Sequence, residues 1–424
     1  MVTRAGIVVT GTEVLTGRVS DRNGPWLAEQ LRLTGVDIAQ IVVVGDRPAD
    51  LLDSLEFLAR TGVSLIITTG GLGPTADDLT AELVARFQGR PAELDTALQA
   101  RIAEIVAGLT ARRGWRLDPA ASAAAVRKQA LVPVGASVLA PVGTAPGLVV
   151  PPADGRSGPP VVVLPGPPGE LRPMWPGALA DPVVQAALAG RRELRQRTMR
   201  LWGTPESELA ATLRAHQDRL TGLEISTCLR GGELEIVTRF GPEHQPAYDE
   251  LSAVIGSAYP DTLFSAEGAT VDQLVAGALL DSGRTVATAE SCTAGLLAAR
   301  LTELAGSSAY LRGGLVVYSN EAKHELAGVP TELIARVGAV SAEVAEALAA
   351  GARARLAADV GVGITGIAGP GGGTETKPVG LVHLCASDQH RTLARRVQLP
   401  GSRTDVRTRA TLIAMHLLRE LLLG

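Results

Sequence analysis

The feature that most constrains the fold is a repeated alternation of strand-like and helix-like patterns near the start of the chain. Apolar runs typical of buried strands cover residues 5–10, 36–44 and 63–69, and amphipathic patterns typical of helices cover residues 23–34, 49–61 and 76–87. Strands that alternate with helices predict a parallel sheet with helices on both faces. In such sheets ligands bind at the carboxyl ends of the strands. The sequence therefore predicts a doubly wound α/β domain with a site at one sheet edge.

Candidate binding residues follow each of these three strands. The carboxylates are Glu13, Asp46 and Asp78, and the glycines of the third loop are Gly70, Gly71 and Gly73. Glycine loops expose amides that can cradle a phosphate, and carboxylates bind hard divalent cations. For each residue alone, an ordinary structural role fits the sequence as well as a binding role does. Asp78 could cap the following helix, and Asp46 could lie in a simple turn.

A second set of candidates lies near the end of the chain, where Ser291 falls between a strand-like and a helix-like segment. The first amides of a helix have no internal partner, so an oxyanion beside Ser291 would find donors there. This position favours acyl transfer. Cys292 is the alternative nucleophile, with His324 as its local candidate partner, but the motif itself contains no histidine beside the thiol.

Lys323 lies one turn into the helix-like segment that follows the next strand, beyond Tyr318 and Asn320. Serine needs a base, and a partly desolvated lysine can serve as one. The sequence leaves other roles open: Lys323 as a phosphate ligand, and Tyr318 as an aromatic wedge. The third piece, residues 360–373, reads as a short apolar strand followed by a glycine-rich loop, whose unshielded amides could cradle a phosphate.

Several segments carry a specific resemblance: TAESCTAG, GSSAYLRGGLVVYSNEAKHELAGV, GAVSAE, TGIAGPGGGTETKPVG and PGSRTDVR, spread over residues 266–424. Together they resemble the C-terminal domain of the competence/damage-inducible protein A (CinA) family, whose counterparts include nicotinamide mononucleotide amidohydrolases. The resemblance implies an α/β amidohydrolase domain that deamidates this nucleotide without a cofactor. It implies catalytic roles for Ser291, Lys323, Tyr318 and Thr365, and substrate-binding roles for Thr293, Gly295, Asn320, Gly366, Gly369 and the phosphate-clamping Arg403.

The first 175 residues or so carry GTEVLTGRVSDRN, VVVGD, TTGGLGPTADDLT, VRKQALVP, VGTAPG and LPGPPGE. This pattern resembles the MoaB/MogA-like molybdopterin-binding domain found at the front of CinA proteins. The resemblance implies Asp46 and Asp78 as metal-binding carboxylates and metal-dependent ADP-ribose pyrophosphatase activity. The chain departs from the family pattern before Arg127, where the alanine-rich run of residues 120–126 replaces asparagines.

Between these parts, residues 173–265 read as short strands around two helical runs and predict a small α+β domain. By position it resembles the KH-like middle domain of the same family. The predicted domains are therefore 1–172, 173–265 and 266–424. Because the middle domain is too small for a large core of its own, the chain is expected to form a homodimer.

Composition narrows the functional class. A formal charge of −4 gives no net attraction to nucleic acid, and none is expected as a direct partner. The sequence has three cysteines, Cys228, Cys292 and Cys385, which lie far apart. An odd number leaves one cysteine over in any disulfide scheme, so a reducing cytoplasm is favoured. No signal peptide or membrane span is expected. Two functions remain: a hydrolase acting on nicotinamide mononucleotide, and a non-catalytic protein that senses nucleotides in competence or DNA damage.

Overall fold

The structure is a computed structural model that describes residues 3–114, 116–230 and 232–424. The chain divides into two compact units. The first comprises Met1–Gln196 and Gly241–Glu243, and the second comprises Arg197–Phe240 and His244–Gly424.

The first unit is built on a six-stranded sheet with helices on both faces. The strands of the whole first unit are β1 (Arg4–Thr10), β2 (Asp37–Val44), β3 (Leu65–Thr69), β4 (Ala92–Leu94), β5 (Leu131–Pro133), β6 (Ser137–Leu139), β7 (Gly147–Val150) and β8 (Val161–Leu164). Its helices are α1 (Thr12–Leu15), α2 (Gly24–Leu33), α3 (Pro48–Arg60), α4 (Thr80–Gln88), α5 (Thr96–Arg113), α6 (Pro119–Gln129), α7 (Pro168–Ala180) and α8 (Pro182–Ala187).

The sheet order is β2-β1-β3-β8-β7-β6, and β4 pairs separately with β5. Strands β1, β2, β3 and β8 are parallel, whereas β7 runs antiparallel to both β8 and β6. Strands β3 and β8 are buried along their whole length, because apolar cores cover both faces of the sheet. The predicted doubly wound α/β fold is confirmed, and the loops after β1, β2 and β3 meet at one edge.

The proline-rich stretch after residue 172 predicts a domain boundary there, but the first unit continues to Gln196. Helix α7 runs through this position with Pro173 and Pro176 inside it. A proline removes a hydrogen bond from a helix interior. Burial of Met174 and Trp175 in the same core as β1 offsets that loss.

The second unit begins with a small α+β sheet. Its strands are β9 (Arg195–Trp202), β10 (Glu224–Arg230), β11 (Glu233–Phe240) and β12 (Leu263–Ser265), in the order β10-β11-β9-β12, and its helices are α9 (Glu206–Ala215) and α10 (Gln245–Ala258). Single 3-10 turns occupy Gln217–Arg219 and Pro242–His244. Leu201 and Ile236 of the sheet pack with Leu251 and Ile255 of α10 in a core of their own.

The rest of the second unit is a five-stranded sheet between helices. Its strands are β13 (Val286–Glu290), β14 (Leu311–Val316), β15 (Val360–Gly366), β16 (Leu381–Ser387) and β17 (Thr392–Gln398). Its helices are α11 (Val271–Ser282), α12 (Leu296–Leu301), α13 (Asn320–Ala327), α14 (Thr331–Val337), α15 (Ala342–Leu356) and α16 (Arg403–Leu423), with a 3-10 turn at Ser307–Ala309. The order is β14-β13-β15-β16-β17. Strand β13 is parallel to β14 and β15, and β16 and β17 continue the sheet antiparallel.

Helix α16 packs on the small sheet through one fully buried histidine. The ring of His416 stacks on Trp202, with centroids 4.1 Å apart, and meets the edge of Phe264 at 4.9 Å. Its Nε2 atom lies 2.7 Å from Oε1 of Glu233 in β11. Burial lowers the pKa of His416, although the nearby Glu233 carboxylate opposes the shift. The histidine therefore joins the two sheets of the second unit by stacking and by a buried hydrogen bond.

Candidate active site

Ser291 lies at a sharp turn between β13 and α12. The strand ends at Glu290, and the Ser291 amide donates to the carbonyl of Ile364 in β15 (2.9 Å). Ala294 has a φ of 51°, a conformation that side chains disfavour. The predicted junction is therefore a tight turn, and we call residues 291–295 the serine turn. The Ser291 residue is 8% exposed.

Lys323 comes from the neighbouring junction, between β14 and α13, where Ser319 is the N-cap of the helix. The lysine is 2% exposed, and its Nζ atom lies 3.2 Å from Oγ of Ser291. Nζ also donates to the carbonyl oxygens of Val317 (3.0 Å) and Tyr318 (3.2 Å). The structure thus brings together the two residues that the sequence pairs as nucleophile and base.

Burial lowers the pKa of Lys323, because the ammonium loses hydration, while the negative charge of Glu321 opposes the shift. A neutral amine has two N–H donors and one lone pair. The carbonyls of Val317 and Tyr318 can take the two donors, which leaves the lone pair for the Ser291 hydroxyl. The geometry suits a lysine that accepts the serine proton.

Cys292, the alternative nucleophile, is buried in the core of the second unit. Burial raises the pKa of its thiol to about 11, with the charge on Glu290 adding to the effect. A thiol with this pKa stays protonated near neutral pH, and the thiolate is the nucleophilic form. The electrostatics therefore favour Ser291 over Cys292. His324, the candidate partner of the thiol, is engaged through Nδ1 with the carbonyl of Val329 (2.9 Å).

The first amides of α12 are not available to an oxyanion, contrary to the expectation from the sequence. The Glu290 carboxylate accepts from the amides of Gly295 (3.1 Å), Leu297 (3.0 Å) and Ala298 (2.9 Å). A carboxylate is a stronger acceptor than a neutral group and is favoured at a helix N-terminus. The remaining donors of the serine turn are the amides of Cys292 and Thr293, which lie beside the thiol and lower its pKa.

Arg407 of α16 fixes the orientation of the Thr293 amide. Its guanidinium donates to the carbonyls of Cys292 (Nε, 3.1 Å) and Thr293 (Nη2, 3.1 Å). In a trans peptide the carbonyl and the amide point in opposite directions. The Thr293 amide, which shares a peptide plane with the Cys292 carbonyl, therefore points away from α16.

Arg403 lies one turn before Arg407 on α16 and contacts two other segments of the site. It donates to the carbonyl of Gly369 in the glycine-rich loop (2.9 Å) and to the hydroxyl of Tyr318 (2.8 Å). Tyr318 is 57% exposed, so one face of its ring is open to a ligand. Three predicted residues from separate segments therefore meet at one place.

The other predicted residues differ in how accessible they are. Thr365 is 1% exposed, and its hydroxyl donates to the carbonyl of Ala339 (2.7 Å), so it is held as a structural contact beside the site. Thr293 is fully buried, and its Oγ1 has no partner within the described residues. Asn320 opens helix α13 and is exposed, and Gly366 ends β15. Gly295 precedes α12 with a φ of 93°.

The predicted residues of the first unit line one cleft of about 330 Å³ at the carboxyl ends of β1, β2 and β3. They are Glu13, Asp46, Gly70, Gly71, Gly73 and Asp78. A side chain at Gly73 would collide with the carboxylate of Asp78, which explains the glycine there. Glu170 also lines this cleft, and burial raises its pKa. Within the described chain none of the alanine-rich residues 120–126 lines the cleft, so the departure from the family pattern lies elsewhere.

Asp46 and Asp78 each have one carboxylate oxygen held by a threonine. Thr12 donates to Asp46 through its amide (2.9 Å) and hydroxyl (2.7 Å), and the Thr75 amide donates to Asp78 (2.9 Å). The second oxygen of each remains for a cation. Among the described residues no group of three or more His, Cys, Asp or Glu forms a metal cluster. Two carboxylates fit a cation such as Mg²⁺, which takes its other ligands from phosphates and water.

Sequence reasoning missed Glu290, Arg407 and Glu170. Glu290 stands inside the TAESCTAG segment, immediately before the serine, and only its hydrogen bonds to later amides reveal its role. Arg407 lies four residues after Arg403, a spacing that puts both on one helix face. That spacing was a signal in the sequence. Glu170 ends the LPGPPGE segment, but burial alone distinguishes it from a surface glutamate.

No helix in the described part of the chain has the length and apolarity needed to cross a membrane. The fold and the sites define a multidomain α/β protein with a buried serine–lysine pair at one sheet edge and an acidic, glycine-rich cleft at another. Residues 268–422 match the CinA C-terminal domain, and residues 6–185 match the probable molybdopterin binding domain. The chain belongs to the CinA family, as its relatives also show.

The chain is 60% identical to a CinA-like protein of Mycolicibacterium gilvum and 58% identical to one of Mycolicibacterium vanbaalenii, in both cases over 100% of each chain. Among solved structures, the competence/damage inducible protein CihA from Agrobacterium tumefaciens is 42% identical. That match covers 36% of this chain and 94% of the other, with a TM-score of 0.35.

Proposed function

We propose that the second unit is an amidohydrolase that converts nicotinamide mononucleotide and water into nicotinate mononucleotide and ammonia. The observation that carries the proposal is the 3.2 Å contact between Ser291 Oγ and a buried Lys323 whose pKa is lowered by desolvation. The substrate is the one that the CinA resemblance implies. The open ring of Tyr318 and the guanidinium of Arg403 offer a surface for a planar base and a cation for a phosphate.

The proposed reaction has two halves. The Ser291 Oγ attacks the carboxamide carbon while Lys323 takes the hydroxyl proton. The carbon–nitrogen bond then breaks, and Lys323 returns the proton to the leaving nitrogen, which departs as ammonia. In the second half a water attacks the acyl ester, Lys323 accepts its proton, and the proton passes to Ser291 as the ester bond breaks. These steps use two side chains and water and need no cofactor.

The test is to incubate the purified full-length chain with nicotinamide mononucleotide and to measure ammonia and nicotinate mononucleotide together. Equal amounts of both products, absent in a Ser291→Ala control, are expected. The competing function, a nucleotide sensor, predicts binding by calorimetry with no ammonia. Binding without turnover would therefore overturn the proposal.

For the first unit we propose a metal-dependent pyrophosphatase that cleaves ADP-ribose. The specific observation in its favour is the convergence of Asp46, Asp78 and the glycine loop in one cleft. A divalent cation bound there would neutralise charge on the pyrophosphate. The chain's own residues would hold that cation through the free oxygens of Asp46 and Asp78 and would receive phosphate on the amide of Gly71, since the Gly70 amide already donates to the carbonyl of Leu164 (3.0 Å).

A further inference from the structure

Glu290 is a fully buried carboxylate at the end of β13, immediately before the proposed nucleophile. Oε1 accepts from the Thr288 hydroxyl (3.1 Å) and the Ala298 amide, and Oε2 accepts from the amides of Gly295 and Leu297. Two donors therefore face each oxygen. All four of these donors are neutral groups.

Such a group is costly to bury, because a carboxylate loses its hydration and here neutral donors take the place of water. A helix start is ordinarily satisfied by a short side chain at its N-cap, with less desolvation. Helix α12 is only six residues long. A cap of this kind therefore exceeds what the stability of so short a helix requires, and its position beside Ser291 points to the reaction.

Glu290 connects the two ends of the serine turn. Its backbone is fixed in β13 before Ser291, and its carboxylate holds Gly295 at the other end of the turn. Between these points lies Ala294, whose positive φ must be maintained by its surroundings. With Gly295 and the following amides occupied, the Cys292 and Thr293 amides donate to no backbone carbonyl of the described chain and lie beside the Cys292 sulfur.

We infer that Glu290 is a positioning residue that shapes the oxyanion hole, so that the developing oxyanion is held by the Cys292 and Thr293 amides. This inference rests on the proposed acyl-transfer function of Ser291. Glu290 itself touches no substrate. It acts by keeping the turn in a conformation in which those two amides face the oxygen of the reacting carbonyl.

A fluorophosphonate probe tests this directly, because it phosphonylates an activated serine and places an oxygen in the oxyanion hole. Glu290→Gln puts an NH₂ group against backbone donors, so the turn loses acceptor contacts. The labelling rate is expected to fall roughly 100-fold, the scale seen when oxyanion donors are lost. In deamidation, kcat should fall by a similar factor with KM nearly unchanged.

Asp272→Asn is the matched control. Asp272 pairs with Arg300 in the last turn of α12 (2.6 and 2.8 Å), so this change weakens the same helix without touching the serine turn. Its labelling rate should equal that of the wild type. Equal losses in both variants would mean that Glu290 merely stabilises α12, and a wild-type rate in Glu290→Gln would also overturn the inference.

If Glu290→Gln does not fold, Thr288→Val tests the positioning role of Glu290 instead. It removes one donor to Oε1 at similar volume and should lower labelling by about 5-fold to 10-fold, on the scale of one buried hydrogen bond. An unchanged rate in that variant refutes the inference. Wild-type protein that labels at Ser291 but releases no ammonia would refute the proposed substrate alone. Wild-type protein that does not label would refute both.

Discussion

Nζ of Lys323 lies 3.2 Å from Oγ of Ser291, although the two residues belong to different strand–helix junctions of one sheet. The parallel strands β13 and β14 bring the junctions to the same edge. Three carbonyls of the segment before α13 lie 3.0–3.4 Å from the amine and hold it in place. The pair therefore has the geometry of a nucleophile with its base.

The first prediction concerns this pair as a unit. Ser291→Ala removes the nucleophile and Lys323→Ala removes the base, so each change should lower kcat for ammonia release by at least about 1,000-fold. The double variant should lose little more than either single variant. Cys292→Ala is the control and should keep near-wild-type turnover. A dead Cys292→Ala with an active Ser291→Ala would assign the chemistry to the thiol.

The second prediction concerns pH. The lysine is active as the neutral amine, whose fraction rises with pH. Because burial lowers the pKa of Lys323 from 10.5, kcat/KM should rise with pH and reach half its plateau below that value. Rates measured from about pH 6 to pH 10 would show the curve, which should be the same with and without a chelator. A flat or falling profile would be inconsistent with lysine as the base.

The third prediction concerns Arg403. Its guanidinium contacts Gly369 and Tyr318 and lies apart from the Ser291–Lys323 contact, so Arg403→Ala should raise KM for the nucleotide about 10-fold or more and change kcat less. Tyr318→Phe removes the hydroxyl that accepts a hydrogen bond from Arg403. This variant therefore separates the positioning of the Arg403 guanidinium from the effect of its charge. If Arg403→Ala lowered kcat at unchanged KM, the phosphate-clamp assignment would fail.

The fourth prediction concerns the acidic cleft. If Asp46 and Asp78 hold a divalent cation, ADP-ribose hydrolysis should require added metal and stop on chelation. Asp46→Asn and Asp78→Asn should each remove most of this activity, while ammonia release stays at the wild-type rate. Steady-state assays of both reactions on the same preparations make the comparison. Unchanged hydrolysis in Asp78→Asn would exclude the cation role.

Much of the framework follows from residue periodicity. The predicted strand over residues 5–10 is β1, and the predicted helix over residues 49–61 is α3, because apolar spacing fixes which face is buried. The last helix shows the limits. By residue type Thr404 can cap it, whereas in the structure Ser402 caps it in a reciprocal capping box with Asp405. The Ser-x-x-Asp spacing of residues 402–405 is the sequence pattern that indicates such a capping box.

The site was predictable only as far as it lies in motifs. Ser291 and Lys323 could be paired because each follows a strand, and parallel strands share an edge. The use of the α12 amides by Glu290 could not be foreseen, since a glutamate inside a strand-to-helix segment has no periodic signature. The passage of α7 through two prolines also depends on tertiary packing that no local pattern records.

The stacking of His416 between Trp202 and Phe264 has a consequence for domain exchange. A gene fragment that encoded only the part from α11 onward would lack Trp202, Phe264 and Glu233, so the His416 imidazole on helix α16 would be exposed to water. A version of this domain that exists without the small sheet must therefore change that face of α16. Either another polar residue replaces the histidine, or a partner in another assembly covers it.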